Sequence, residues 1–260
     1  MLPSATTIRT FEMFSVEDRE RIRNRIVKMS REDPHLVSGA LIGSTVGGGG
    51  DRWSDLDLTF GLADNSSLEE VLAYWTHRME SEFGAVHLFD LPNLTTLYRV
   101  FLLPGNLQVD LSFTPGNKFL GKGLKHELLF GNADEREPAA LPQSKQVFGL
   151  AVVYLLHARA CIERKRFWEA EYCISAARNQ ALILECLSHG LRTSYGRGYD
   201  DLPPETLKTF SKMLVRALDK SHLLQALGET LDGLLKSSQN VGEVVLKIRS
   251  QLREIAKPDV

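Results

Sequence analysis

The sequence predicts an α+β protein in two parts, a mixed sheet with helices over residues 1–135 followed by an α-helical bundle over 136–260. Three observations predict it. Short apolar or alternating runs recur through the first half, as strands do. From Ser144 onward apolar residues return at three- and four-residue spacing, as amphipathic helices require. Between the two patterns, from Asn117 to Pro142, the strand signal fades and Gly, Pro and charge punctuate the chain, as in a linker or crossover. A chain of 260 residues also divides naturally into two domains of about 100–150 residues each.

Taken in order, Val16 to Ser30 reads as a charged helix, and the apolar run Leu36 to Ile42, stopped by Gly43, as a buried strand. Leu56 to Leu62 is a second strand. Ser67 to Glu82 has helical spacing, with Ser66 or Ser67 as N-cap. Ala85 to Phe89, Thr95 to Leu103 and Leu107 to Phe113 complete the strands, and Pro104-Gly105-Asn106 makes a tight turn between the last two. The second half offers helices over Ser144 to Ile162, Arg166 to Gly190, Pro204 to Leu218, Ser221 to Leu235 and Val241 to Ile255. No fixed-period repeat points to a solenoid.

Composition narrows the function. Apolar residues are 43% and charged residues 25%, an ordinary globular balance. The formal net charge of −2, without long blocks of like charge, favours a small ligand over nucleic acid or an anionic membrane. The N-terminal segment lacks the basic-then-apolar pattern of a secretion signal, and no run of about 18 apolar residues suggests a membrane span. Cys161, Cys173 and Cys186 are odd in number and lie within apolar helical pattern, so they read as reduced core thiols. Together these features imply a soluble cytoplasmic protein.

The chemistry concentrates between Gly43 and Leu58. A strand ending in Gly43-Ser44 lets the backbone approach a phosphate closely, and its N–H groups and the Ser44 hydroxyl donate hydrogen bonds. Asp55 and Asp57, two apart at the start of an apolar strand, emerge on one face. Their mutual repulsion is relieved by a hard divalent cation such as Mg²⁺. In Leu107 to Phe113 the apolar residues alternate with Gln108, Asp110 and Ser112, which puts Asp110 on the polar face of its strand. Three carboxylates can hold two metal ions about 3.5–4 Å apart, the arrangement that in-line nucleotidyl transfer uses. The bland alternative is a flexible glycine loop, Gly47 to Gly50, leading to a solvated strand end. A Walker phosphate loop is excluded, since no Gly-Lys-Ser/Thr follows Gly43 at the needed spacing, and His126-Glu127 lacks the second His of a zinc-protease helix. The histidines show no ligand spacing.

Gly43-Ser44, Asp55-x-Asp57 and Asp110 resemble the pattern of the nucleotidyltransferase superfamily of DNA polymerase beta, over residues 36–114. The resemblance implies a nucleotidyltransferase-fold sheet, with Asp55, Asp57 and Asp110 as metal ligands for two Mg²⁺ ions and Gly43 and Ser44 on an NTP donor, ATP by default. The four consecutive glycines depart from the usual turn.

On the helix after Arg166, Glu171, Ser175 and Arg178 share one face. Such a polar stripe either pairs within the bundle or lines a cleft. The two-part layout looks like the small-molecule antibiotic-resistance nucleotidyltransferases, the aminoglycoside and lincosamide enzymes, mainly over residues 144–200. That resemblance implies AMP transfer to a hydroxyl of a small acceptor with release of pyrophosphate, and makes Glu171 the general base, with Glu169 and Glu185 in reserve. Arg178 has two readings, an ion-pair partner of Glu171 or a triphosphate clamp. The loop Tyr195 to Asp201, with Arg197 between two glycines, either closes over a nucleotide or is a plain surface loop. Trp75 and Trp168 read as packing residues. Two rival functions remain: a nucleotidyltransferase-fold antitoxin acting with a protein partner, and transfer onto RNA or protein, which would need a broad basic surface.

Overall fold

The computed structural model describes residues 13–122, 126–135 and 140–257. The chain divides into two compact units, residues 1–139 and 140–260, and each has its own hydrophobic core. The class is α+β, a mixed sheet with helices followed by a helical region.

Unit 1 is built on a six-stranded sheet. Its strands are β1 (Leu36–Ile42), β2 (Leu56–Leu62), β3 (Val86–Asn93), β4 (Thr96–Leu103), β5 (Leu107–Pro115) and β7 (His126–Phe130), in the order β3-β4-β5-β2-β1-β7. β2 and β5 run parallel and every other neighbouring pair is antiparallel. Two short strands, β6 (Leu120–Lys122) and β8 (Asp134–Glu135), form a separate parallel pair.

Helix α1 (Val16–Glu32) starts at a capping box: the Ser15 hydroxyl accepts from Asp18 N at 3.0 Å, and the Asp18 carboxylate accepts from Ser15 N at 3.1 Å. Helix α2 (Leu68–Phe83) starts at Ser67 and ends at Gly84, whose φ of +63° suits glycine. Ile26 and Met29 of α1, with Val71, Trp75 and Met79 of α2, share a core with Leu56, Leu58, Phe60, Val109, Leu111 and Phe113. Trp75 stacks on Phe60 at 5.4 Å between centroids, and its indole N–H donates to the buried Asp33 carboxylate at 2.8 Å. The even positions of β2 and odd positions of β5 thus face the helices. Alternation sends Asp57, Thr59, Asp110 and Ser112 to the opposite face.

Residues expected to form a linker after Asn117 instead include β6, β7 and β8. β7 pairs with β1 and closes one edge of the sheet. It is short and framed by charge and glycine, so its strand character comes from the partner rather than from its own pattern. β3 runs four residues beyond Phe89, through Pro92, which an edge strand tolerates because one side of its backbone needs no ladder bond.

Unit 2 contains α3 (Ser144–Glu163), α4 (Phe167–Ser188), α5 (Pro204–Ser211), α6 (Lys220–Ser237) and α7 (Glu243–Ile255). Their core joins Phe148, Leu155 and Ile162 of α3, Ile174, Ala177 and Ala181 of α4, Leu223, Leu227, Leu231 and Leu234 of α6, and Val245 and Leu252 of α7. Among the described residues α3 alone is long and apolar enough to cross a membrane by length and composition, and it contributes buried residues to this core. The helix expected over Pro204 to Leu218 stops at Ser211, and Met213 turns inward against Gly233, where a Cβ would meet its methyl carbon. Cys161, Cys173 and Cys186 are buried and unpaired, and burial pushes each thiol up from its ordinary value. Trp168 is not a packing residue: it is 78% exposed.

Candidate active site

The strand ends bring Asp57 and Asp110 together. They are direct partners in the parallel β2–β5 register, so their Cα atoms stand about 4.8 Å apart with side chains on one face. Asp55 precedes β2 by one residue, and its charge acts on Asp110. Burial is the main cause that raises the Asp110 pKa above its ordinary value of 3.8; Asp55 adds to the rise, and Gln108 opposes it by donating from Nε2 to both carboxylate oxygens at 3.1 and 3.2 Å.

Gly43 borders the same carboxylates. It ends β1 beside Ile42, the register partner of Asp57, and takes φ +83°. A Cβ there would collide with Asp57 Oδ2. Both its conformation and its contact therefore demand glycine. Ser44 follows, exposed, in a helical turn over Gly43–Gly48 that carries Thr45 inward. Gly47 N donates to Glu127 Oε2 of β7 at 3.4 Å.

The run Gly47 to Gly50 is exposed, with positive φ at Gly47, Gly48 and Gly50. The chain then tightens into a turn in which Asp51 Oδ1 accepts from Trp53 N at 2.8 Å and Ser54 Oγ accepts from Asp51 N at 3.0 Å. Beneath it lies Arg19, 1% exposed, whose Nη1 donates to Asp51 O at 2.6 Å and Ser54 O at 3.2 Å. Sequence reading passed over Arg19. Its signal was position: it shares a helical stripe with Ile22, Ile26 and Met29, and a charged residue on an apolar stripe needs an explanation. Sequence reading also set His126 aside, yet β7 places it opposite Ile42 and so on the face of Asp57, two strands away.

Among the described residues no three His, Cys, Asp or Glu side chains already stand as a metal-holding group. Asp57 and Asp110 instead stand side by side across β2 and β5, with Asp55 one residue before β2. A divalent cation fits neighbouring carboxylates because it offsets their like charge.

In unit 2 the predicted stripe exists as a hydrogen-bonded string. Ser175 Oγ donates to Glu171 Oε1 at 2.6 Å, and Arg178 Nη2 donates to Ser175 Oγ at 3.2 Å. Arg178 thus meets Glu171 through a hydroxyl. Burial lowers the Arg178 pKa, while the Glu171 and Tyr199 charges oppose that fall. Tyr172 is exposed, and its ring meets Tyr154 edge-on at 6.5 Å. Arg197 follows the turn Ser194–Gly196, and its guanidinium lies 5.7 Å from the ring centroid of Tyr195, which is 93% exposed and holds φ +57°.

No protein-family model matches the sequence, and no curated protein matches it. Among solved structures, the chain is similar to an aminoglycoside 6-adenyltransferase from Bacillus subtilis, with 10% identity and a TM-score of 0.40 over 95% of this chain and 100% of that one. A likeness this distant assigns no activity.

Proposed function

We propose that the protein is a divalent-cation-dependent nucleotidyltransferase that moves a nucleoside monophosphate, AMP from ATP by default, onto a hydroxyl of a small molecule. The observation that carries the reading is the pairing of Asp57 with Asp110 across β2 and β5, with Asp55 acting on Asp110 and the Gly43-Ser44 turn against Asp57. A strand end that gathers carboxylates beside a turn rich in backbone N–H groups suits a metal–triphosphate complex.

In this reading Asp55, Asp57 and Asp110 hold two Mg²⁺ ions, which would supply charge stabilisation for the phosphoryl group and lower the pKa of an attacking hydroxyl. Gly43 and Ser44 bind phosphate oxygens through N–H and hydroxyl donors. Glu171 accepts the proton of the acceptor hydroxyl, with Ser175 holding one of its oxygens in place. Arg178 and Arg197 are candidate partners for nucleotide phosphates, each with a neighbour that orients it. Aminoglycosides and lincosamides are the first acceptors to try.

The test is direct. Purified protein is incubated with Mg²⁺, each labelled NTP and separate aminoglycosides, lincosamides, RNA and proteins. Pyrophosphate release with label on a small acceptor supports the reading; label on RNA or protein moves the acceptor class. No transfer from any NTP, combined with no binding of Mn²⁺ or NTP, overturns it.

A further inference from the structure

We infer that Arg19 is a positioning residue of the carboxylate site: from α1 it fixes the turn that delivers Asp55 and Asp57, so its loss weakens cation binding beyond any loss of fold. The inference rests on the reading of those carboxylates as cation ligands.

A guanidinium 1% exposed has given up its water, and such a group is kept only where hydrogen bonds replace that water. Arg19 Nη1 donates both of its hydrogen bonds to one turn, to the carbonyls of Asp51 and Ser54. Its Nε makes no hydrogen bond among the described residues, and the nearest acid, Glu20, lies 3.6 Å from it on the same helix. The polar end of this side chain is therefore matched to the turn rather than to a carboxylate. Ser54 is the residue directly before Asp55.

On the other side of the turn Gly49 and Gly50 lie close to Ser44, Val46 and Thr45, while Gly47 and Gly48 are less enclosed. At Gly47 and Gly48 a Cβ would meet no atom within 4 Å, and glycine has the most backbone entropy to lose. Internal bonds from Asp51 and Ser54 give the turn its shape, but they do not attach it to the rest of the unit. Among the described residues, the hydrogen bonds that tie the turn to another element come from Arg19. Like the groups that orient metal ligands from behind, it acts on the site without touching it.

The experiment compares wild type with Arg19→Met, which keeps the apolar stem and removes the donors, and Arg19→Lys, which keeps a charge but not the planar fork. Mn²⁺ affinity is read by electron paramagnetic resonance, loop order by amide hydrogen exchange over residues 51–56, and the fold by melting temperature. Arg19→Met should raise the Mn²⁺ dissociation constant about 10–100-fold and speed exchange over 51–56 while leaving β3 and β4 protected. Arg19→Lys should shift both readings the same way by less. A folded Arg19→Met with wild-type Mn²⁺ affinity overturns the proposal; if that variant does not fold, wild-type affinity and exchange in Arg19→Lys overturn it. If wild type itself binds no Mn²⁺, the carboxylate reading falls, and unchanged exchange over 51–56 in the folded variant overturns the positioning role as well.

Discussion

Gly43 and Asp57 compete for one place: the Asp57 carboxylate fills the space that a Cβ on Gly43 would take. Gly43→Ala therefore meets two penalties. A residue with a Cβ at φ +83° costs about 1–2 kcal/mol by conformation alone, and the new methyl displaces the carboxylate. Urea unfolding should show at least the first cost, and Mn²⁺ titration should show weakened binding. Pairing Gly43→Ala with Asp57→Ala should recover the steric part of the loss. Plain additivity of the two substitutions would show that the contact is unimportant.

On the proposed reading, Asp57→Asn should abolish nucleotidyl transfer while leaving the protein folded, since it would remove a cation ligand beside Asp110. Asp55→Asn should do the same. Circular dichroism and melting in the absence of divalent ions should match or exceed wild type. Turnover above about a tenth of wild type with Mg²⁺ present would sink the metal-ligand assignment.

Asp110 sets a pH dependence. Its folded pKa is raised, chiefly by burial, so the folded state holds the proton more tightly than the unfolded state does. Its contribution to stability is fully present below the ordinary value of 3.8 and is lost as pH rises through the folded value. Asp110→Asn should therefore stabilise the metal-free protein at neutral pH, by about 2–4 °C for each kcal/mol relieved, and the advantage should disappear in acid. An advantage independent of pH would refute the linkage. In the same protein, Asp55→Asn should lower the Asp110 pKa seen by carboxyl NMR, because the Asp55 charge contributes to the rise.

Glu171 is held by Ser175, so Glu171→Gln separates a base from a strut. If Glu171 takes the acceptor proton, single-turnover transfer should fall about 10²–10⁴-fold with NTP and Mg²⁺ binding nearly unchanged. If it serves the Ser175–Arg178 string, melting temperature should fall and the rate should follow the folded fraction. A normal rate eliminates the base.

The strands that frame the carboxylates were legible because their pattern is self-contained. Leu36 to Ile42 ends at a glycine, Leu56 to Leu62 begins between two aspartates, and both occur at those bounds. Alternation in Leu107 to Phe113 was enough to place Asp110 on the face away from the helices. What was not legible depends on partners distant in sequence. His126–Phe130 becomes a strand by pairing with β1, and Arg19 acquires its role from carbonyls 32 and 35 residues away. Trp168 shows the reverse error, since an aromatic residue at helical spacing says nothing about whether its own face is covered.

The strand order also bears on timing. β1 pairs with its successor β2, and β3, β4 and β5 form a meander of chain neighbours, so both groups can assemble from local contacts. The parallel seam between β2 and β5 joins segments separated by α2 and the whole β3–β4 hairpin, and long-range pairings of this kind are the slow ones. Asp57 travels with the first group and Asp110 with the second. The two aspartates are brought side by side only when that seam closes, so the carboxylate pair comes into being in the same event that joins the two groups of strands.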